Sequence, residues 1–250
     1  MTTIRIRSDS RLTDAGLTSL VEAAQVCVPV RRWFIVGGHM VNLHVLNSGL
    51  RLATRPTLDS DLAVTRRTVT QGDLLYRLRA LGYRTPTFPN RFERQVDGLD
   101  TSIDLVVQSY STKHEPNVDI DDRNFDGMPA VSEALDRDPV VIELEVVRTD
   151  GIELAATVRI PDIVSAIAMK SFAVAERSNP GDAVDLGQLL HVARAAGVES
   201  GVWPKGKAFE AAKAQLSAQF DRPGTALPAA AATEALRVRL RDIASLIAQT

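Results

Sequence analysis

Hydrophobic and polar positions follow two periods along this chain, and they divide it into recognisable elements. Between Leu12 and Val28 the apolar residues Leu17, Leu20, Val21, Ala24 and Val28 recur at three-to-four spacing, which predicts a helix ended by Pro29. Arg32–Val36 is a short apolar run that stops at Gly37-Gly38; it predicts a buried strand, followed by a helix from His39 to about Ser48 that Gly49 terminates. Leu58–Val64 alternates apolar with acidic or polar residues, the period of a strand with one polar face. Gln71–Leu81 carries Leu74, Leu75, Leu78 and Leu81 at helical spacing before Gly82. Phe92–Val96 and Thr101–Val107 flank Asp97-Gly98, a hairpin signal, and Val140–Val147 with Ile152–Ile160 repeats it around Thr149-Asp150-Gly151.

After Pro161 the pattern becomes wholly helical. Asp162–Arg177, Asp182–Ala196, Lys205–Phe220 and Thr233–Gln249 each show helical periodicity, separated by Ser178–Gly181, Gly197–Pro204 and Pro223-Gly224. The expectation is an α+β chain: a mixed sheet with helices over residues 1–160, then a helical bundle over residues 161–250. No repeat is visible, and the one biased tract is the alanine-rich Ala229–Ala232.

Composition adds limits. The chain has 250 residues, 45% of them hydrophobic and 24% charged, which is ordinary for a folded protein and excludes wholesale disorder. A single cysteine, Cys27, forms no internal disulfide, so a reducing cytoplasm is the expected compartment. No apolar run reaches about 18 residues and Met1–Ser10 lacks the apolar core of a signal segment, so no membrane association is expected. The net charge of -2 argues against a uniformly basic nucleic-acid binder, yet it is unevenly spread. Residues 1–68 hold nine arginines against five acids, whereas residues 97–126 hold eight acids against two cations. Any polyanion would therefore be gripped locally.

The candidate chemistry lies in carboxylates and glycines. Asp59 and Asp61 are two apart in an expected strand, which puts both on one face roughly 6.5–7 Å apart. Held that close they repel unless a cation sits between them or one is protonated. Asp104, embedded in the apolar run Ile103–Val107, is costly if left bare, and on a neighbouring strand it would complete an all-oxygen set suited to Mg²⁺. Gly37 and Gly38 open a helix, where exposed backbone N–H groups and the helix dipole favour phosphate. Each signal alone has an ordinary explanation: a solvated strand edge for Asp59 and Asp61, helix first-turn acids for Asp182 and Asp185, a snorkelling cation for Lys170. Their combination is more specific.

That combination resembles the nucleotidyltransferase superfamily of polymerase-β-like fold. The residues are Val36-Gly37-Gly38-His39, then Arg55-Pro56-Thr57-Leu58-Asp59-Ser60-Asp61-Leu62, then Ile103-Asp104-Leu105. The Arg-x-Thr-x-Asp-x-Asp wording, with Lys170, Arg177 and Asp182-x-x-Asp185-Leu186 later, is similar to the AbiEii-type toxin branch of bacterial toxin–antitoxin and phage-defence systems. The resemblance spans roughly residues 33–186. It implies a nucleotidyltransferase-like mixed sheet, with Asp59, Asp61 and Asp104 as metal ligands and catalytic residues. Asp104 has the alternative role of accepting the proton of the attacking hydroxyl. It implies Gly37, Gly38, Arg55, Lys170 and Arg177 as nucleotide contacts, and functional roles for Lys170, Asp182 and Asp185. It further implies Mg²⁺ as cofactor, a nucleoside triphosphate as substrate, RNA (a tRNA 3′ end) as acceptor, and a cognate antitoxin as partner. His39 departs from the small or hydroxyl residue often found after the glycines. Two other functions remain open at this point: a small-molecule, antibiotic-type nucleotidyltransferase, and a non-catalytic nucleotide-binding or interaction module of the same fold.

Overall fold

The computed structural model describes residues 1–85, 90–177, 179–198, 203–221 and 233–248. The Pro223-Gly224 break, the Ala229–Ala232 tract, Ser178, Gln249 and residues 199–202 of the Gly197–Pro204 separator lie outside them. The fold is α+β, built on two sheets and a C-terminal set of helices.

The main sheet has the order β2-β3-β5-β7-β6, where β2 is Trp33–Val36, β3 is Ser60–Val64, β5 is Leu99–Gln108, β6 is Glu115–Ile120 and β7 is Arg123–Met128. Strand β4 (Arg91–Val96) pairs with the first half of β5 through the Asp97-Gly98 turn. β3 and β5 run parallel, and β2 runs antiparallel to β3. Apolar side chains on both faces make the centre of this sheet a core: Trp33, Phe34, Ile35, Val36, Leu62, Ala63, Val64, Ile103, Leu105 and Val107 are all buried. Helix α1 (Arg11–Val26) packs against β3 and β5, its start capped by Ser10, whose hydroxyl accepts from the Thr13 N–H at 3.2 Å. The second sheet, β1-β8-β9, joins β1 (Thr2–Arg7) in parallel to β8 (Val140–Val147), which forms a hairpin with β9 (Glu153–Ile160).

Helix α2 (Gly37–Ser48) follows β2 without a linker, and Gly49 at φ 70° ends it. Helices α3 (Arg66–Gln71), α4 (Leu74–Ala80) and α5 (Val131–Leu135) are short connectors. From Ile163 on, the described residues form α6 (Ile163–Arg177), α7 (Pro180–Ala195), α8 (Lys207–Asp221) and α9 (Glu234–Ala248). Asn179 caps α7 by accepting from the Gly181 N–H, with Pro180 at the first helical position. α6 and α7 pack on each other and on α2, which brings the C-terminal helices to the edge of the main sheet. Among the described residues no helix is long and apolar enough to cross a membrane.

The structure departs from the sequence reading at four places. Strand β1 lies in the Met1–Ser10 segment, for which no element was expected. Only Ile4 and Ile6 point inward, and its partner is some 140 residues away, so no turn announces it. The acidic stretch Asp119–Gly127, for which no element was expected, belongs to the β6–β7 hairpin. Its turn places Asp121 and Asp122 at φ 50° and 61°, a conformation aspartate tolerates. The helix expected over Gln71–Leu81 is α3 followed by α4, broken at Gly72-Asp73. Strand β3 begins at Ser60, so it is shorter at its start than the expected Leu58–Val64 and Asp59 immediately precedes it.

Candidate functional site

A cleft of about 270 Å³ opens where β3, β5 and β4 meet the start of α2 and the helices α6 and α7. Of the ten residues singled out from the sequence, Gly37, Gly38, Arg55, Asp59, Asp61, Asp104, Lys170, Arg177 and Asp182 line it. The tenth, Asp185, lies beneath the wall and is almost fully buried. Residues from positions 37 to 182 thus converge on one cavity.

Register explains the convergence. Val36, the last residue of β2, pairs with Asp61 across the antiparallel β2–β3 ladder. Asp61 pairs with Asp104 across the parallel β3–β5 ladder. The chain turns directly from Val36 into α2, with no side chain capping that helix start. Asp61 lies against this corner: a Cβ built on Gly37 would sit 1.8 Å from the Asp61 Oδ2, and Gly37 holds φ at 66°. Gly38 matters less, because a Cβ there would meet only the tip of the Arg55 side chain, at 3.1 Å. We therefore expect Gly37→Ala to cost about 1–2 kcal/mol from backbone strain alone, and to push the Asp61 carboxylate out of place. Thermal unfolding and a crystal structure of the variant check this; an unshifted Asp61 and unchanged melting would show the close approach to be dispensable.

The cations are already partnered, with one exception. Arg55 forks onto Asp185, Nε to Oδ1 and Nη2 to Oδ2, both at 3.0 Å. Lys170 Nζ donates to Asp182 Oδ1 and Asp185 Oδ2, both at 2.8 Å, and all three side chains are buried. Burial works to raise the Asp185 pKa, but the Arg55 hydrogen bonds and Lys170 outweigh it and hold the carboxyl below its usual range. Gln188 Nε2 on α7 adds a hydrogen bond of 2.6 Å to the Ala53 carbonyl, fastening the same loop that carries Arg55. Arg177, two turns after Lys170 on α6, lines the cleft and makes no ion pair among the described residues.

Arg91 is a charged residue of the cleft that the sequence reading did not single out. Its guanidinium forks onto Asp104, Nε to Oδ1 at 2.9 Å and Nη2 to Oδ2 at 2.7 Å, and Nη2 also stands 3.9 Å from Asp59 Oδ2. A signal for it exists in the sequence. The two-residue Asp97-Gly98 turn pairs Val96 with Leu99, and counting back along that hairpin places Arg91 opposite Asp104. Val36, Met40, Thr57, Met128, Met169, Ala173 and Asn179 complete the lining.

The charge balance now reads simply. Arg55 and Lys170 offset Asp182 and Asp185, and Arg91 offsets Asp104. Asp59 has the longer 3.9 Å approach of Arg91, and Asp61 makes no ion pair among the described residues. Burial, followed by the charge of Asp104, pushes Asp61 up to about 6, while Lys170 and Arg177 pull the other way. Among the described residues no three acidic, histidine or cysteine side chains are placed to hold a metal ion. The three carboxylates expected as a set line one cleft, with Asp104 engaged by Arg91. Asp59, half exposed, and Asp61 still fit a hard divalent cation, which takes one or two carboxylates together with water and substrate oxygens.

His39 does not line the cleft. It is buried on α2, and burial lowers its pKa to about 4, so it is a neutral residue behind the glycine corner. His44 is likewise buried and lowered to about 4, its Nε2 donating to the Pro161 carbonyl at 3.0 Å.

No family model matches the chain, and no curated protein matches it. Among solved structures, an antigenic nucleotidyltransferase-like protein from Paracoccidioides brasiliensis is similar at 15% identity, with 90% of this chain and 97% of that chain covered and a TM-score of 0.44.

Proposed function

We propose that this protein is a metal-dependent nucleotidyltransferase, moving a nucleoside monophosphate from a nucleoside triphosphate to an acceptor hydroxyl with release of pyrophosphate. The observation that carries the reading is the seating of Asp61 against the Gly37 corner, with Asp59 and Asp104 in the same cleft. A phosphate-accepting helix start and metal-binding carboxylates then face one substrate. Asp59 and Asp61 are the residues that would hold Mg²⁺, which when bound neutralises phosphate charge and polarises the reacting phosphorus. The uncapped start of α2 and the guanidinium of Arg177 face the same space and suit the remaining phosphate oxygens. Asp104, beside Asp61 on the adjacent strand, is the carboxylate suited to accept the proton of the attacking hydroxyl. Lys170 and Arg55 act one layer behind. Paired with Asp182 and Asp185, they hold α6 and α7 against the loop that carries Arg55 and Asp59.

The finer reading is an AbiEii-type toxin that modifies RNA at a tRNA 3′ end in the cytoplasm and is restrained by a cognate antitoxin. It draws support from the assembly of Lys170, Arg177, Asp182 and Asp185, the residues behind that resemblance, at the cleft wall. The test is incubation with Mg²⁺, each labelled nucleoside triphosphate in turn and total tRNA. Label on the RNA is the expected result. Transfer to a small acceptor instead would establish the small-molecule alternative, and nucleotide binding without any transfer would leave a non-catalytic module.

A further inference from the structure

Arg91 stands where a cation is needed. Its fork closes both oxygens of Asp104, and the same Nη2 reaches toward Asp59, so one guanidinium bridges the acids on either side of Asp61. The placement is built into the backbone, because Arg91 and Asp104 are cross-strand partners in the β4–β5 hairpin. Ser102 Oγ also donates to Asp104 Oδ1 at 3.3 Å, so the carboxylate is held from two sides. Resting on the reading of Asp59 and Asp61 as a cation site, we infer that Arg91 is a resident counter-ion that competes with the divalent cation for this cluster. Two positive charges cannot share the space between Asp59 and Asp104 at contact distance without strong repulsion. Cation binding therefore loosens the Arg91–Asp104 fork, and Asp104 becomes free as a ligand or a proton acceptor. Without the cation, Arg91 offsets the charge of Asp104 and, at longer range, of Asp59. Arg91 is here a positioning residue, since it acts through Asp104.

The competition has a readout independent of turnover. Mn²⁺ binding to the full chain, without nucleotide, can be titrated by electron paramagnetic resonance of the free ion. Wild type, Arg91→Gln, Arg91→Lys and Asp61→Asn in each background are compared, with thermal melts to confirm folding. Removing the competing charge is expected to tighten Mn²⁺ binding about tenfold or more. Arg91→Lys, which keeps the charge but loses the fork, is expected to fall between, and it serves if Arg91→Gln does not fold. Asp61→Asn is expected to abolish binding in either background. Equal or weaker binding by both Arg91 variants, with Asp61→Asn still abolishing it, overturns the competition while the cation site stands. Binding that is absent throughout, or indifferent to Asp61→Asn, overturns the cation site and the competition with it.

Discussion

Asp61→Asn is expected to lower nucleotidyl transfer on the order of a thousandfold, the scale of losing a group that stabilises transition-state charge, while raising thermal stability when divalent cations are removed. Both effects come from the same arrangement. Asp61 is the carboxylate closest to the Gly37 corner and the register partner of Asp104, so the proposed function places it in the chemistry while its burial weighs on the fold. Its pKa, raised from 3.8 to about 6, sets the sign of the pH dependence. Between those values the folded protein holds a proton that the unfolded chain has lost. This group's contribution therefore becomes less favourable as pH rises from about 4 to 6, reaching about 2–3 kcal/mol above pH 6. His39 and His44 act in the opposite sense: neutral in the fold with pKa values near 4, they weaken it as pH falls below about 6.5. The informative quantity is therefore the difference in melting temperature between wild type and Asp61→Asn in a chelating buffer. That difference should be near zero at pH 4 and widen in favour of the variant up to pH 7. A difference that does not vary with pH would contradict the raised pKa, and a fully active variant would remove Asp61 from the chemistry.

Lys170→Met should be the most destabilising substitution in the site. Methionine matches the lysine stem in length and leaves Asp182 without a partner, while Asp185 retains Arg55. Breaking a buried ion pair from one side costs about 3–5 kcal/mol, which for a chain of this size means a fall in melting temperature of roughly 6–15 °C. Adding Asp182→Leu removes the orphaned charge, and the double variant is expected to recover most of the loss. That recovery is the measurement that separates a pairing role from mere packing. If Lys170→Met melts like wild type, the buried network does not hold α6 and α7 to the sheet.

Lys170 also shows how far the chain's pattern could be read without coordinates. The resemblance carried by Lys170, Arg177, Asp182 and Asp185 singled out residues that meet at or just beneath the cleft wall. It did not reveal that Lys170 spends its charge on two aspartates within the fold. The same holds for Arg55, legible as a cation near the carboxylates but not as the partner of Asp185, 130 residues on. Helices and hairpins were legible because their signals are local: periodicity, a capping residue, a two-residue turn. β1 was not, since its partner β8 lies some 140 residues away, and β6 was not, since the Asp121-Asp122 turn that joins it to β7 lacks the glycine that signals a hairpin.

The amino-acid sequence by itself determined the α+β order of elements, the glycine corner after β2, and the carboxylates at positions 59, 61 and 104. Each follows from side-chain type at short spacing. Tertiary structure alone decided which charges cancel. Coulomb interactions among buried groups act over a few ångströms and take no account of sequence distance. Register set Arg91 against Asp104, and helix packing set Lys170 between Asp182 and Asp185. What remains is Asp59 and Asp61 in the cleft without a guanidinium fork of their own, and the proposed cation site rests on that residual negative charge.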